Sequence, residues 1–278
     1  MKVSLIVAVY KDIEALSLIV KALEKQTYTN FELVVAEDGE CQELKILIKE
    51  LHRTCKFDIL HTTQEDIGIQ KMRSLNNAIM VATGEYLIFI DGDCIPYSTF
   101  IDGHVYLASK KHIVSGRRCN LGPKYSEKLR NDYISSYQLE RSFVIKFPFI
   151  AFDSNERHTE AGFYFNPRGY IYSEIVKKKK SSTNLLGCNY SCFKNDILAI
   201  NGYDEGYGQT AIGDDTDMQW RFISSGMNII SAKNVANVFH LYHTRTFRDT
   251  ISIDDEWRLF LENKAKNKYI CKYGLNTH

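Results

Sequence analysis

The chain of 278 residues has no surplus of charge: 35 lysines and arginines stand against 34 acidic residues, a formal net charge of +1. No global field therefore favours nucleic acid, and a charged ligand must be recognised locally. There is no Cys-x-x-Cys pair. Cys41, Cys55, Cys94, Cys119, Cys188, Cys192 and Cys271 thus form no zinc ribbon or dithiol redox motif, and they read as reduced thiols of a cytoplasmic protein. No window approaches the roughly 18 apolar residues of a membrane span. The apolar start at Val3 to Val9 is too short for a signal-peptide core, and Lys11-Asp12 follows at once. No internal repeat is visible. Val9-Tyr10-Lys11-Asp12, where the first apolar run ends, contains no glycine, so the Gly-x-Gly-x-x-Gly turn of a dinucleotide site is missing. A nucleotide held through its base and ribose, with a metal on its phosphates, fits better.

What is present supports one large α/β domain: 44% of the residues are apolar, enough for a sizeable core. Val3 to Tyr10, Phe31 to Ala36, Phe57 to His61 and Tyr86 to Ile90 are short apolar runs of β-formers. Between them, Ile13-Leu16-Val20-Leu23, Leu44-Leu47-Ile48-Leu51 and Met72-Leu75-Ile79-Ala82 keep helical spacing. Four strands alternating with helices predict a mostly parallel sheet with right-handed crossovers.

The fourth strand ends in Asp91-Gly92-Asp93, at the sheet end where open α/β folds put their ligands. Asp-Gly is common turn chemistry. Two carboxylates around a glycine are also oxygen ligands for a hard cation that leaves positions open to phosphates. The second strand likewise ends in acids, Glu37-Asp38, so the two ends could share a crevice.

From about Leu121 to Thr183 the periodicity breaks, in a segment that holds three of the four prolines. Its many aromatics, among them Tyr133, Tyr137, Phe143, Phe147, Phe149, Phe152, Phe163, Tyr170 and Tyr172, either pack a local core or stack on sugar rings. Lys177, Lys178, Lys179 and Lys180 are either a solvated loop or a contact with an anionic membrane surface or phosphate-bearing acceptor. Further on, Asp214, Asp215 and Asp217 open a helix carrying Met218, Phe222 and Ile223. Capping explains acids there, and a carboxylate on a rigid helix start also suits a general base. His240 and His243 are structural histidines or metal ligands. With Asp ligands they would favour Mn²⁺ over Mg²⁺. Asp254 to Tyr273 predicts an amphipathic helix with Trp257, Phe260 and Leu261 inward.

These motifs, taken in order, resemble the inverting family 2 glycosyltransferases of the GT-A fold, with a later half similar to the galactosyltransferase family. They are Val3 to Tyr10, Glu37-Asp38-Gly39, Arg73 ahead of Ala82 to Tyr86, Asp91-Gly92-Asp93, Gly187-Cys188-Asn189 before Gly202 to Glu205, and Asp214-Asp215-x-Asp217 with Arg221. The resemblance covers Met1 to about Gly116 and Asn184 to about Arg245. It implies a donor-binding half over 1–116, an aromatic-rich, acceptor-side insertion over 117–183, and a catalytic-base and acceptor half over 184–278, all within one continuous domain. It implies a UDP-sugar donor, with Asp38 on the uracil, Ala8 and Tyr10 near the base, Arg73 near the nucleotide and diphosphate, Asp91 at the ribose or a metal-bound water, and Gly92 among the donor-binding residues. Asp93 and His243, with or without His240, would hold Mn²⁺ or Mg²⁺. Asp215 would be the base, with Asp214 beside it, and Gly187, Asn189 and Trp220 on the acceptor side. The family commonly has Asp where Glu37 stands and Glu where Asp214 stands.

The expected reaction is metal-dependent, inverting transfer of a hexose or N-acetylhexosamine from a UDP-sugar to a glycan or lipid-linked hydroxyl in surface polysaccharide synthesis. The expected location is cytoplasmic, or peripheral on the inner face of the membrane. A nucleotidylyltransferase would need a glycine- and basic-rich loop after the first strand, which is absent. A non-catalytic nucleotide- or glycan-binding module would have no use for Asp93, Asp215 and His243 together.

Overall fold

Seven residues each, apolar along almost their whole length, make β1 (Val3–Val9) and β2 (Phe31–Glu37) strands buried on both faces. In the computed structural model, which describes residues 1–154, 156–176, 183–208, 211–244 and 254–277, they pair in parallel from Val3 with Phe31 to Val9 with Glu37. Between them runs α1 (Ile13–Leu23), whose first turn is capped by Asp12 accepting from the Ala15 amide. Then follow α2 (Gln42–Thr54), β3 (Asp58–Thr62), α3 (Lys71–Val81) and β4 (Tyr86–Asp91). The chain continues through β5 (Cys94–Pro96), α4 (Phe100–Leu107), β6 (His112–Ser115), β7 (Arg117–Asn120), α5 (Pro123–Arg130) and α6 (Ser136–Asp153). After two short single-turn helices come β8 (Asn189–Phe193), α7 (Lys194–Ala199), α8 (Thr216–Ser224), β9 (Asn228–Ser231), β10 (Asn237–His240) and α9 (Asp254–Ala265).

Seven strands form one sheet in the order β3-β2-β1-β4-β8-β6-β9. The four N-terminal strands are parallel, as their alternation with helices predicts, and β8 enters antiparallel between β4 and β6. Alternate residues feed two cores: Leu5, Val7, Leu33 and Ile88 pack with α1 and α2 on one face, and Ile6, Val34, Leu87 and Phe89 with α3, α7 and α8 on the other. A smaller sheet, β5-β10-β7, stands beside the first.

The segment from Leu121 departs from the irregular insertion expected of it. Directly after β7, a strand of the small sheet, it builds two helices, the second of 18 residues with Pro148 inside. Its aromatics divide: Phe143 and Phe147 pack against Phe163, whereas Val144, Ile145, Phe149 and Phe152 are 69–89% exposed. Apolar residues on opposite faces cancel the helical periodicity, which is why the helix is invisible in the pattern. The expected tail helix stops at Ala265, and of its apolar residues only Phe260 is buried, Trp257 and Leu261 being exposed. Lys177 to Lys180 lie outside the described residues. All seven cysteines are free thiols, and among the described residues no helix is long and apolar enough to cross a membrane.

Candidate active site

The site lies at the carboxyl ends of β1, β2 and β4. Asp91, the last residue of β4, stands in register with Ala8 of β1. At Gly92 a Cβ would sit 2.7 Å from the Ala8 carbonyl oxygen. Glycine is required there by close approach of two backbones, because its φ is outside the left-handed region.

The small sheet then completes the cluster. β10 runs antiparallel to β5 with His240 opposite Cys94, and the Leu241 amide donates to the Asp93 carbonyl at 2.9 Å. This pairing brings Nε2 of both His240 and His243 to 3.3 Å from Asp93 Oδ2. One donor atom from each of the three residues lies within 4.8 Å of the other two, the one such metal-ligand group among the described residues. Burial works against the Asp93 charge, but the two imidazoles outweigh it and hold the carboxyl well below the usual range. His240 is buried and His243 half-exposed, so the cluster has a protein side and an open side. One carboxylate oxygen and two imidazole nitrogens fit a divalent transition-metal ion.

Beside it is a second construction that the sequence reading missed. Lys71 Nζ donates at 2.6 Å to Asp91 and at 2.6 Å to Asp214, bridging the end of β4 to the turn before α8. Burial disfavours the ammonium, yet Asp214 and Asp91 prevail and its pKa lies well above the usual lysine value. Arg73, the cation expected at the donor, is exposed and makes neither contact. Helix phase could have revealed this: Lys71 shares a stripe with buried Leu75 and Ala78, whereas Arg73 is seven residues from exposed Met80.

Asp38 sets the start of α3. Its two carboxylate oxygens accept from Gln64 Nε2 at 2.7 Å and from the Gln70 amide at 2.8 Å, one residue before Lys71. Burial raises its pKa, and a nucleobase would have to share oxygens already engaged. Glu37 does not face the crevice at all. It is 1% exposed and bound to the Cys41 amide and His61. Tyr10 stands 55% exposed at the rim, with Lys11 over its ring and paired to Asp66 at 2.7 Å.

The acid-rich turn separates into three roles. Asp217 is buried between Arg221 Nε at 2.6 Å and the Tyr207 hydroxyl at 2.9 Å; Arg221 also donates to the Ile200 and Gly202 carbonyls, which locks α8 in place. Asp214 is buried against Gly187, where a Cβ would be 2.4 Å from its Oδ1. Burial raises its pKa against the pull of Lys71. Asp215, at the start of α8, is half-buried, and among the described residues its carboxylate meets only the Thr216 hydroxyl, at 3.2 Å. It is the acid of the three left available.

Two acceptor-side expectations find other positions. Asn189 is fully buried: its Oδ1 lies 2.9 Å from His104 Nε2, and its Nδ2 donates to the Arg117 and Ala236 carbonyls. All its polar atoms are satisfied within the protein, so it joins the two sheets and does not reach an acceptor. Trp220 packs edge-on against Phe260 of α9. Arg118, on β7, was missed as well. Burial opposes its charge, but the neighbouring Cys188, Cys94, Asp91 and Asp93 raise its pKa.

Residues 4–169 match the family model Glycosyl transferase family 2, and residues 168–244 match the N-terminal domain of galactosyltransferase. Among curated relatives, the glycosyltransferase AglE of Haloferax volcanii is 28% identical over 102 residues, 36% of this chain and 33% of its own length. An uncharacterised glycosyltransferase of Rickettsia felis is 27% identical over 142 residues, 48% of this chain and 22% of its own. The chain therefore spans a third or less of the length of these relatives. Among solved structures, GalNAc-T7 with UDP, GalNAc and Mn²⁺ has a TM-score of 0.65 at 12% identity, covering 94% of this chain and 48% of that one. The mannosyltransferase PcManGT of Pyrobaculum calidifontis, in complex with GDP-Man and Mn²⁺, has a TM-score of 0.58 at 16% identity, covering 96% and 62%. The shared architecture is the GT-A fold.

Proposed function

The chain belongs to glycosyl transferase family 2, and from that premise we propose that it transfers a sugar from a UDP-sugar to an acceptor hydroxyl with inversion at the anomeric carbon. The observation that carries this reading is the Asp93–His240–His243 cluster at the end of β4, linked through Asp91 and Lys71 to the Asp214–Asp215 turn. Asp38, Ala8 and Tyr10 lie on the β1–β2 side, where the nucleoside would rest, and Asp91 stands between that side and the cluster. A Mn²⁺ ion held by Asp93, His240 and His243 would neutralise charge developing on the leaving diphosphate.

Asp215 takes the proton of the acceptor hydroxyl as that oxygen attacks the anomeric carbon opposite the leaving group. A carboxylate near the ordinary aspartate pKa, about 4, is a weak base toward an alcohol. Transfer of the proton is therefore late, and much of the rate comes from orientation. Lys71 supports this by holding Asp91 and Asp214 apart from Asp215 in fixed geometry. Asp214, tied to Lys71, is not free to act as a nucleophile, so a single displacement turns an α-linked donor into a β-linked product.

The test is a donor screen by thermal shift and nucleotide release with UDP-Gal, UDP-GalNAc, UDP-Glc, UDP-GlcNAc and GDP-Man, each with Mn²⁺ or EDTA. One UDP-sugar should stabilise the protein only with metal and release UDP slowly, and Asp93→Ala should abolish both effects. Asp215→Ala should keep donor binding and lose transfer by about 10²–10⁴-fold. If no UDP-sugar shifts the melting temperature with Mn²⁺, the donor assignment fails; a shift with GDP-Man instead would reassign the nucleotide.

A further inference from the structure

On the far side of β4 from β1 and β2 is a cavity of about 490 Å³, lined by Arg117, Arg118, Arg157, His158, Asn120, Glu156 and the segment 184–186. Three features set it apart. The first is charge without a partner. Among the described residues, Arg117 donates only to the neutral oxygens of Ser115, Gly116 and Asn184 and Arg118 only to the Cys188 sulfur, and Arg157 is exposed. Among the described residues none of these three guanidinium groups is paired with a carboxylate, and Glu156 is the one acid in the lining.

The second is Asn120, which is 5% exposed. Its Nδ2 donates to the Arg157 carbonyl at 2.8 Å, which fixes the amide so that Oδ1 points away from that oxygen. That Oδ1 is buried and, among the described residues, has no hydrogen-bond partner. A buried acceptor left unpaired is costly, so a ligand hydroxyl that donates to it gains directly.

The third is position. Asn120 is the register partner of His240 in the small sheet, and Arg118 lies two residues back on the same face. The segment 184–186 runs into Gly187, which packs on Asp214 next to Asp215. The cavity therefore adjoins both the metal-ligand cluster and the base, on the flank away from the nucleoside.

We infer that this cavity is the acceptor site and that the acceptor is an anionic saccharide, presenting a phosphate or carboxylate to Arg117 and Arg157 and a hydroxyl to Asn120 Oδ1. This rests on the assignment of Asp215 as the base and of the UDP site to the β1–β2 side. A guanidinium pair with phosphate or carboxylate is charge-assisted and geometrically selective, so anionic sugars bind here in preference to neutral ones of the same size.

The experiment is calorimetric titration of the protein saturated with UDP and Mn²⁺, using glucose, glucose 6-phosphate, glucuronate and inorganic phosphate as probes. At least one anionic sugar should bind about tenfold or more tighter than glucose, weakening as salt is raised. The stronger of glucose 6-phosphate and glucuronate tells phosphate from carboxylate. Arg157→Gln, at an exposed position, should abolish the preference and leave UDP affinity unchanged, while Arg157→Lys retains part of it. Equal binding of glucose, or no binding of either anionic sugar to a protein that does bind UDP, overturns the inference and leaves the proposed donor site standing. Inorganic phosphate binding as tightly as glucose 6-phosphate overturns the saccharide part. Loss of UDP affinity in Arg157→Gln reassigns the cavity to the donor diphosphate. Failure of UDP to bind at all overturns both readings.

Discussion

Lys71 carries more of the site's architecture than any other single residue, because one ammonium neutralises half of a pair of carboxylates drawn from the two halves of the chain. Lys71→Met would leave Asp91 and Asp214 facing each other with no cation between them. Breaking a buried charge network typically costs about 3–5 kcal/mol. With Lys71 23% exposed, the expected loss is about 2–4 kcal/mol, read as a drop in the urea midpoint at pH 7. Adding Asp214→Asn should recover part of it by removing one of the two charges. A loss below about 1 kcal/mol would mean the acids relax apart without the lysine. Residue type and order single out Asp93, Asp215 and both histidines, and the structure brings Asp93 and the histidines together. They do not single out Lys71, because the acids it serves are 20 and 143 residues away.

At the level of elements, a buried polar chain ties the two sheets to α4. The Asn189 amide donates from Nδ2 to two carbonyls, so its Oδ1 accepts from His104 Nε2–H. His104 Nδ1 then accepts from the Ser191 hydroxyl, and Ser191 accepts from Tyr86. His104 is wholly buried and neutral, and burial pulls its pKa from 6.5 down to about 4. The unfolded chain takes up a proton below pH 6.5 that the folded chain refuses until about pH 4. The contribution of this group is therefore intact above pH 6.5 and falls as pH drops through that window. Between pH 7 and pH 5 the loss from His104 should be about 2 kcal/mol. Chemical denaturation of wild type and His104→Gln at the two pH values checks it: the wild type should lose more, and equal losses would rule the histidine out as the cause. Asn189 itself shows why a motif position misleads. Its side chain is satisfied by carbonyls of residues 117 and 236, a partnership that spacing along the chain does not encode.

On the scale of the whole molecule, the two family matches meet at residues 168–169, yet the hydrogen-bonded sheet does not divide there. β8 lies antiparallel between β4 and β6, pairing Tyr86 with Phe193 and Ile90 with Asn189. Lys71 and the Asp93 cluster cross the same boundary. Calorimetric unfolding should therefore give one cooperative transition, with 1–183 and 184–278 failing to fold as separate chains. Two resolved transitions would show that the halves are independent. The sequence by itself determined the four parallel strands, because unbroken apolar runs separated by helical stripes have few ways to be buried. It also determined the acids at the end of β4 and at the start of α8, because residue type and local spacing suffice to place them on a strand end and a helix start. Only the tertiary structure decided which cation meets those acids, which asparagine is a strut and which lines a cavity, and that an 18-residue helix stands in the segment without periodicity. Each of these depends on side chains far apart in the chain meeting in space, and local pattern carries no record of that distance.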